Sequence, residues 1–461
     1  MSTSAKDQWA SALGRYKPYH KYKDSGVEWL GEIPEQWSVR RIKVVTTVRL
    51  SNVDKNAVDG QDVVRLCNYQ EVYHNERISS SLDFMNATAT HSQIVNFSLR
   101  AGDVLITKDS ESWTDIAVSA VVVEDLPGVL CGYHLALLRP AAGCHGAFLA
   151  RSLVANGMRE QFEVAANGVT RFGLSKDAIG AAVLLIPPLP EQLAISAFLD
   201  RETAKIDALT EKKERLIELL QEKRIALITH AVTKGLDPDV PMKDSGVEWL
   251  GKIPAHWEVK PLMRLTSDER PIMYGIVLPG PDVDDGVLIV KGGDVAPGRL
   301  RAELLSRTTR EIESSYARSR LRTGDIVYAI RGSIGAAELV PKGIEGANLT
   351  QDAARVAVRL GTCAEWLLHC LRSRATFSQL EAGINGAAVR GINIGDLKRV
   401  LVPVPPKDEQ LAIAAFLDRE TAKIDALMAK VRTAIGLLKE YRTALISAAV
   451  TGKIDVRGEV S

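Results

Sequence analysis

Two blocks of this sequence occur twice. KDSGVEWLG at residues 23–31 returns letter for letter at residues 243–251. EQLAISAFLDRETAKIDAL at residues 191–209 returns at residues 409–427 with a single substitution. Self-similarity at a fixed period indicates that a chain is built from repeated structural units. The sequence therefore predicts two copies of one framework, each begun by the first block and ended by the second.

The segments between the repeated blocks, residues 40–185 and 260–403, have similar lengths but little sequence in common. Drift after a gene duplication would change all parts of the two copies alike. Because the divergence is confined to these two interior segments, we expect them to carry different specificities on a shared geometry.

Both variable segments are predicted to be α/β. Each contains short runs of β-branched and apolar residues bounded by Gly, Asp or Pro, a pattern typical of strands. Each also has one helix-like stretch, at 147–163 and at 364–380, that leads into a glycine-bearing loop. The strand-like runs are VVRLCNY, DVLITK, AVVVED and HLALLRP in the first segment, and GVLIVKGGD, GDIVYAI and AARVAVRL in the second.

The repeated EQLAI blocks predict two long helices. Each block follows a proline-rich stretch, so the helices should begin near Pro190 and Lys407. Each should run for about 40 residues, or roughly 60 Å. One narrow apolar stripe at heptad spacing requires a partner helix, and we expect the two helices to pack antiparallel against each other. The predicted stripe contains Ile206, Leu209, Leu216, Leu220 and Leu227 in the first helix, interrupted by Lys213, Lys223 and His230, and Ile424, Leu427, Val431, Ala434, Leu438, Tyr441, Leu445 and Ala448 in the second.

Bulk composition is that of a globular protein. The 461 residues carry a net charge of +1, and 46% of them are hydrophobic. Five scattered cysteines without a CxxC pattern favour a reducing compartment. No apolar run approaches the roughly 18–20 residues that span a bilayer, and the first residues lack the apolar core of a signal peptide. We expect a cytoplasmic location and no membrane partner.

Three motifs carry a resemblance to a known family. KDSGxEWLGxIPxxW, the strand starts at Gly102–Asp103 and Gly324–Asp325, and PPxxEQxxIxxFLDxxTxxID resemble the DNA-specificity subunit of type I restriction–modification systems. The resemblance implies two target-recognition domains, each of which reads one half of a split, asymmetric site in double-stranded DNA. It also implies two docked methyltransferase (modification) subunits, joined by restriction/translocase subunits. No cofactor is expected on this chain, because S-adenosylmethionine, ATP and Mg would bind to those partner subunits.

The repeats and the resemblance together predict an α/β fold class. Two α/β target-recognition domains are separated by two long antiparallel helices that form a coiled-coil spacer, in a pseudo-two-fold and circular arrangement. The predicted segments are an N-terminal tail (1–17), target-recognition domain 1 (18–189), spacer helix 1 (190–233), a linker (234–242), target-recognition domain 2 (243–406), spacer helix 2 (407–450) and a C-terminal tail (451–461).

Candidate DNA-binding residues lie in loops that follow predicted strands or helices. Arginine can bind guanine O6 and N7, serine adapts to bases or phosphates, and glycine allows close backbone approach. The alternatives are solvated turns and helix caps with an exposed arginine. The candidates are Asn68, Tyr69, Lys108, Ser110, Ser112, Trp113, Asn167, Thr170 and Arg171 in the first variable segment, and Lys291, Arg331, Ser333, Asn385 and Arg390 in the second.

The charged motif LDRETAKID is the same in both copies. Charges that merely solvate a helix could have drifted apart, so this repetition favours partner docking or helix pairing. The candidate partner-binding residues are Asp200, Arg201, Glu202 and Lys205, with Asp418, Arg419, Glu420 and Lys423. Four repeated tryptophans, Trp29, Trp37, Trp249 and Trp257, are predicted to pack in the framework rather than to stack on bases.

No catalytic or metal-ligating set is predicted. The sequence has no GxxxxGK[ST], no HExxH and no methyltransferase motif, and the spacing of its Cys and His residues fits no standard zinc set. We therefore expect a non-catalytic subunit of a methyltransferase/endonuclease complex. Two rival interpretations stay open at this point: a self-contained DNA endonuclease with an unrecognised site, and a structural coiled-coil adaptor that never touches DNA.

Overall fold

The structure is a computed structural model that describes residues 14–381 and 391–459. The chain divides into two compact units. Unit 1 comprises the described residues of 1–212 and 433–461, and unit 2 comprises those of 213–432. Each unit therefore contains one variable segment and one part of each long helix.

Unit 1 contains fifteen of the strands that the structure describes. They are β1 (Tyr22–Asp24), β2 (Glu32–Pro34), β3 (Ser38–Arg41), β4 (Thr46–Leu50), β5 (Asp62–Cys67), β6 (Arg77–Ile78), β7 (Met85–Ala89), β8 (Ser98–Leu99), β9 (Val104–Thr107), β10 (Asp109–Ser110), β11 (Ser119–Val122), β12 (Leu126–Cys131), β13 (Leu135–Pro140), β14 (Phe172–Gly173) and β15 (Val183–Ile186). Its shorter helices are α1 (Ile42–Val45), α2 (Tyr69–His74), α3 (His91–Phe97), α4 (Gly146–Leu153), α5 (Asn156–Ala165) and α6 (Lys176–Ala181).

Two sheets form the centre of unit 1, in the orders β4-β13-β9-β11-β6 and β7-β5-β12-β8. Strand β9 lies inside the first sheet and is buried along its whole length. Successive side chains of a strand point to opposite faces. Accordingly, Leu105 joins the core shared with the second sheet, while Val104 and Ile106 join the core that contains Leu149 of α4 and Phe162 of α5. This burial on both faces fixes where β9 ends and its loop begins.

Unit 2 repeats this design with fewer residues in regular strands. Its strands are β16 (Met242–Asp244), β17 (Lys252–Pro254), β18 (Glu258–Pro261), β19 (Met273–Tyr274), β20 (Val287–Val290), β21 (Arg307–Thr308), β22 (Ile326–Ala329), β23 (Ala337–Leu339), β24 (Asn348–Leu349), β25 (Ala353–Val356) and β26 (Leu401–Val404). Its sheets have the orders β19-β25-β22-β23 and β21-β20-β24. The corresponding helices are α8 (Arg310–Ser314), α9 (Ala364–Arg372), α10 (Arg374–Glu381) and α11 (Ile394–Arg399).

The helix-like stretches predicted in the two variable segments are each two helices. In unit 1 the chain leaves α4 at Leu153 and enters α5 at Asn156. In unit 2 α9 ends at Arg372 and α10 begins at Arg374. The buried hydroxyl of Ser373 donates to the carbonyl of Cys370 at 2.6 Å and so satisfies one of the free carbonyls at this helix end.

The two long helices, α7 and α12 in chain order, are the framework elements with the clearest sequence signal. The first, which we label αL1, spans Leu189–Lys234, and the second, αL2, spans Lys407–Val450. Both begin where the proline-rich stretches predicted. In unit 2, Ile228 and Ala231 share a core with Ile413, and Leu220 packs with Met428. Earlier residues of αL1 thus pack against later residues of αL2, so the two helices are antiparallel in unit 2.

The predicted apolar stripe is only partly correct. Leu209, Leu216 and Leu427 are exposed, although they were predicted to face the partner helix. The buried row of αL2 instead includes Met428 and Ile435. From Ile424 the buried row continues through Met428, Val431 and Ile435, at alternating spacings of four and three residues. Leu427 precedes Met428 by one position and therefore lies outside this row. Lys223 and His230 are also exposed and therefore do not interrupt the buried row of αL1.

The four repeated tryptophans divide into two kinds. Trp37 and Trp257 are fully buried, as predicted for packing residues. Trp29 and Trp249 are 51% and 45% exposed, so the prediction that they pack in the framework is wrong for this pair. Among the described residues, no helix is long and apolar enough to cross a membrane.

Candidate nucleic-acid interface

Three chain segments of unit 1 end at one edge of its two sheets. Strand β12 runs parallel to β5, and Cys131 lies beside Cys67 where both strands end. The amide of Gly132 donates to the carbonyl of Cys67 at 2.9 Å, and the amide of Lys108, just past β9, donates to the carbonyl of His134 at 3.0 Å. Asn68, Lys108 and His134 are therefore brought together by sheet topology.

A fourth segment reaches the same edge through a short antiparallel ladder. Strand β10 pairs with β14, so that Ser110 lies opposite Phe172. The amide of Leu174 donates to the carbonyl of Lys108 at 2.8 Å. The predicted loop with Asn167, Thr170 and Arg171 therefore lies beside the loop that follows β9. We call these four converging segments the recognition face of unit 1.

The recognition face of unit 1 contains a cavity of about 550 Å³, large enough to hold several ordered waters or part of a ligand. Its lining includes four of the residues predicted from sequence and five that the sequence analysis missed. The predicted residues are Tyr69, Ser110, Ser112 and Arg171, and the missed residues are Tyr73, Asp109, Glu111, Asp115 and His134.

Asp109 is the best-defined polar group of this cavity. Its Oδ2 accepts from Nζ of Lys108 at 2.6 Å and lies 2.9 Å from Nδ1 of His134. Burial acts to raise the pKa of the Asp109 carboxyl, but the hydrogen bonds from Lys108 and His134 outweigh it and hold the pKa below its ordinary value. Asp109 is therefore a fixed carboxylate at neutral pH, able to accept hydrogen bonds but not to donate them.

The side chain of Lys108 is directed into the loop that follows β9. Its side chain is 12% exposed, and the ammonium lies 4.9 Å from the ring centre of Tyr133 as well as on Asp109. Its charge is thus used inside the loop. The prediction that Lys108 contacts DNA directly is not tested by this geometry and stays a prediction.

Aromatic side chains form one wall of the cavity. Tyr69 and Tyr73 stack with ring centres 5.2 Å apart, and the hydroxyl of Tyr73 donates to Asp115 at 2.7 Å. Burial raises the pKa of Tyr69, so it stays a neutral phenol. Trp113 is exposed in the same loop. Exposed aromatic rings of this kind stack on unpaired bases in proteins that bind single strands.

The remaining predicted residues of unit 1 lie at the rim. Asn68 precedes α2, and its side-chain amide contacts the sulfur of Met85 at 3.5 Å. Asn167 donates to the carbonyl of Ala165 at 3.0 Å. Thr170 and Arg171 are exposed, and no described residue accepts a hydrogen bond from the Arg171 guanidinium. Arg171 is therefore available to a ligand.

Unit 2 builds an equivalent edge with the same backbone hydrogen bonds. The amide of Thr350 donates to the carbonyl of Val290 at 3.0 Å, as Gly132 does to Cys67. The amide of Ile330 donates to the carbonyl of Asp352 at 2.9 Å, as Lys108 does to His134. The amide of Arg331 also donates to the carbonyl of Asp352, at 3.1 Å, so the strand register decides the correspondence. Thr107 lies opposite Leu135, and Ala329 lies opposite Ala353. The correspondences between the units are therefore Asn68 with Lys291, Lys108 with Ile330, Asp109 with Arg331, and His134 with Asp352.

The recognition face of unit 2 consists of Lys291, the loop 330–335, Asp352 and the segment that returns at Gly391. Arg331 and Ser333 are exposed. Nζ of Lys291 donates to Ser306 Oγ at 2.9 Å, which leaves its charge without a described acidic partner. A side chain at Gly292 would meet the carbonyl of Arg331 at 2.5 Å, so only glycine allows these two loops to touch. Asn385 and Arg390 lie outside the described residues.

The predicted partner-binding charges have two roles in the structure. In unit 1 Asp200 accepts from Arg77 at 3.0 Å and Arg151 at 3.1 Å, and in unit 2 Asp418 lies 2.8 Å from His369. These two aspartates hold a long helix to its own recognition domain.

The other six charges lie along the helix surfaces. Glu202 accepts from Arg201 and Lys205, and Glu420 accepts in the same way from Arg419 and Lys423. The four cations are half-buried to exposed, so they remain open to an acidic partner. Among the described residues, no group of three or more His, Cys, Asp and Glu side chains could hold a metal ion.

Comparisons with known proteins support the resemblance drawn from the repeated blocks. Residues 295–435 match the family described as the type I restriction modification DNA specificity domain. The EcoBI specificity subunit of Escherichia coli is 28% identical over 293 residues, an alignment that spans 62% of this chain and 62% of that protein. The putative MjaX specificity subunit of Methanocaldococcus jannaschii is 22% identical over 448 residues, or 93% of this chain and 96% of that protein.

Solved structures show the same fold. A chain from a study of complex assembly and conformational transition of the type I R-M system matches with a TM-score of 0.63 at 18% identity, covering 92% of this chain and 99% of that one. The HsdS subunit of Thermoanaerobacter tengcongensis matches with a TM-score of 0.51 at 18% identity, covering 92% and 98%. The predicted α/β fold class is confirmed, and so is the resemblance: the chain is related to the specificity subunits of type I restriction–modification systems.

Proposed function

We propose that this chain is the DNA-binding specificity subunit of a type I restriction–modification complex and reads a bipartite, asymmetric site in double-stranded DNA. The observation that carries the proposal is the pair of recognition faces. Both have the same backbone hydrogen bonds, yet Asp109 in one corresponds to Arg331 in the other. A repeated framework with unlike side chains at its reading positions fits two unlike half-sites.

Exposed groups on both faces suit contact with a duplex. Arg171 in unit 1 and Arg331 and Lys291 in unit 2 are cations at the ends of strands, where phosphate contacts position a protein and base contacts specify the sequence. The predicted DNA-binding residues are kept as part of this proposal, including Asn385 and Arg390. The seven predicted segments of the chain are likewise kept.

The chain acts without catalytic groups of its own in this proposal. It docks two modification subunits and the restriction subunits, which bring S-adenosylmethionine, ATP and Mg. The exposed cations Arg201, Lys205, Arg419 and Lys423 recur at equivalent places on the two long helices, which fits two copies of one partner. Charge reversal at Lys205 and at Lys423 should lower the amount of modification subunit that co-purifies with the chain. If neither variant lowers that amount, docking at these residues is contradicted.

The direct test is binding of the purified chain to a library of random duplexes over a range of salt concentrations. Because phosphate contacts release counterions, retention should fall steeply as salt rises, and sequencing of retained duplexes should give two unlike half-sites. Absence of binding at low salt would favour a structural adaptor. Cleavage of the duplex on addition of Mg²⁺ would favour the endonuclease.

A further inference from the structure

The residue two positions past the end of the central strand has opposite charge in the two units. Asp109 occupies this place after β9, and Arg331 occupies it after β22. The preceding residue in each case donates its amide to the equivalent carbonyl, Lys108 to His134 and Ile330 to Asp352. The two side chains therefore start from the same point of the same backbone frame, and their different chemistry is a difference in what each face can bind.

In unit 1 this position presents a fixed hydrogen-bond acceptor. Lys108 and His134 both bind Oδ2 of Asp109, and no described residue donates to its second oxygen, Oδ1. The carboxylate lines the cavity of the recognition face. The two bonds to Oδ2 hold the carboxylate in place, unlike a flexible carboxylate on the surface. They leave Oδ1 free to accept a hydrogen bond from a ligand.

In unit 2 the same position presents donors. Arg331 is exposed, and no described residue accepts a hydrogen bond from its guanidinium. Lys291 on the neighbouring loop carries a second positive charge, bound to the neutral Ser306. Asp352, which corresponds to His134, is half-buried, and its carboxylate forms no hydrogen bond with Arg331. A planar guanidinium without a carboxylate partner suits bidentate binding to two adjacent acceptors.

The base edges in the major groove differ in the same way. Guanine offers two adjacent acceptors, O6 and N7, and cytosine offers the N4 amino donor. Adenine also has an amino donor, but the acceptor N7 lies beside it. The lone pairs of N7 and of the carboxylate would repel each other. A fixed carboxylate therefore favours cytosine over adenine, and a free guanidinium favours guanine.

We propose that Asp109 and Arg331 are specificity-determining residues of the two half-sites. Asp109 accepts a hydrogen bond from the N4 amino group of a cytosine in the half-site read by unit 1. Arg331 donates to O6 and N7 of a guanine in the half-site read by unit 2. This inference rests on the proposed function and assigns a base and an atom to one residue in each unit.

The test is selection of duplexes from a random library by the full chain and by two single variants, Asp109→Asn and Arg331→Gln. Asparagine and glutamine bind adenine N6 and N7. Asp109→Asn should change cytosine to adenine at one position of one half-site, and Arg331→Gln should change guanine to adenine at one position of the other. Each should reverse a preference of about 10- to 100-fold at that position and leave the other half-site unchanged.

Matched control variants lie at the opposite ends of the strands. Asp62→Asn alters an exposed aspartate at the start of β5, and Arg322→Gln alters an exposed arginine shortly before β22. Both should leave the selected motif as in the parent chain. Circular dichroism and thermal unfolding identify any variant that fails to fold, and the exposed Arg331 position keeps the test decisive if Asp109→Asn loosens unit 1.

The outcomes separate this inference from the proposed function. If the parent chain selects no motif, the proposed function fails and the inference fails with it. If the parent chain selects a bipartite motif that both variants leave unchanged, the inference alone is overturned. A parent motif without cytosine in one half and guanine in the other overturns it as well, whatever the variants do.

Discussion

The two units build the same junction between the start of a long helix and the repeated strands, but they complete it differently. In unit 1, Glu191 in the first turn of αL1 accepts from the hydroxyl of Tyr19 at 2.6 Å and from Nε1 of Trp37 at 3.0 Å. In unit 2, Glu409 accepts from Nε1 of Trp257 at 2.9 Å and lies 2.6 Å from Nε2 of His256. A carboxylate at a helix N-terminus is also favoured by the helix dipole.

The difference lies in how the segments at each junction are connected. In unit 2 one continuous stretch, residues 235–241, links αL1 to the repeated strands. In unit 1 two separate pieces meet: the amide of Asp455 donates to the carbonyl of Lys17 at 2.7 Å, and Arg457 lies 5.1 Å from the ring centre of Tyr19. Aromatic packing and hydrogen bonds in unit 1 thus replace a covalent connection, as the predicted circular arrangement requires.

Removing the junction carboxylate should distinguish the two units most strongly. Glu191→Ala leaves the buried hydroxyl of Tyr19 and the buried indole of Trp37 without an acceptor, at about 1–3 kcal/mol each, so unit 1 should lose roughly 4 kcal/mol. Glu409→Ala orphans one buried donor, Trp257, because His256 is exposed enough to reach water. Its cost should be about half as large.

Hydrogen exchange measured on peptides of each unit checks this expectation. Glu191→Gln and Glu409→Gln are the matched controls, because the amide oxygen still accepts hydrogen bonds and can take both of those that Oε1 of Glu191 accepts. Equal losses for the two alanine variants would show that the tyrosine contact adds nothing to the junction of unit 1.

The next largest contrast concerns the tail. Ile454 is 4% exposed in the core that contains Trp37, whereas Leu236, at the corresponding place of the other repeat, is 44% exposed. Ile454→Ala should destabilise unit 1 by about 3 kcal/mol through lost burial and a cavity. Leu236→Ala should cost less than about 1 kcal/mol in unit 2. Urea unfolding of both variants measures the difference, and similar costs would mean that the tail is not part of the core of unit 1.

The sequence predicts these frameworks well because their signals are local and repeated. The proline-rich stretches fix the starts of αL1 and αL2, and β-branched runs fix the central strands. The prediction of the buried stripe is wrong where apolar residues occupy two adjacent rows of the helix. Leu427 and Met428 are both apolar neighbours, and only packing against αL1 decides which of them is buried.

The recognition faces are less predictable, since they arise from contacts between distant segments. The sequence predicts that the loop following β9 carries a site. Glu111 and Asp115 belong to the same loop and could have been predicted in the same way. His134 gave no such signal, because it comes to Asp109 only through the pairing of β13 with β9. The correspondence of Arg331 with Asp109 rather than with Lys108 likewise follows from strand pairing, because Thr107 and Ala329 hold the same register position in their sheets.

A pH-dependent contrast is expected where each recognition domain holds its long helix. Burial lowers the pKa of His369 in unit 2; its bond to Asp418 opposes this effect and nearby Arg372 and Arg224 add to it. A histidine with a lowered pKa binds its proton more weakly in the folded state. Stability is therefore lost as pH falls below about 6.5, the value of the unfolded group, by at most about 1.4 kcal/mol per pH unit.

Burial also lowers the pKa of His145 in unit 1, so unit 1 should respond in this range only through that residue. The contact that corresponds to His369 and Asp418 should not respond, because Arg151 takes the place of His369 in unit 1 and stays charged. Its partner Glu76 has a pKa below the ordinary value: burial opposes this, but Arg442 and Arg151 outweigh it. Its contribution is lost only as pH falls below about 4.5, through the folded pKa. Hydrogen exchange on peptides of each unit between pH 7.5 and 5.5 checks both expectations, and His369→Gln should flatten the profile of unit 2. A slope that persists in this variant would assign the proton to another group.

The smallest contrast lies in the ion pairs that join the two long helices within each unit. In unit 1 Arg442 binds Asp207 at 2.9 Å and also Glu76 at 2.8 Å, whereas in unit 2 Arg224 lies 3.1 Å from Asp425. The carboxylates are about half exposed, so solvent screens each pair. Arg442→Ala, which removes two pairs, should cost about 1 kcal/mol, and Arg224→Ala about 0.5 kcal/mol. Both costs should shrink in 1 M salt, where the Debye length is about 3 Å; costs that do not change with salt would point to lost packing of the arginine stems instead.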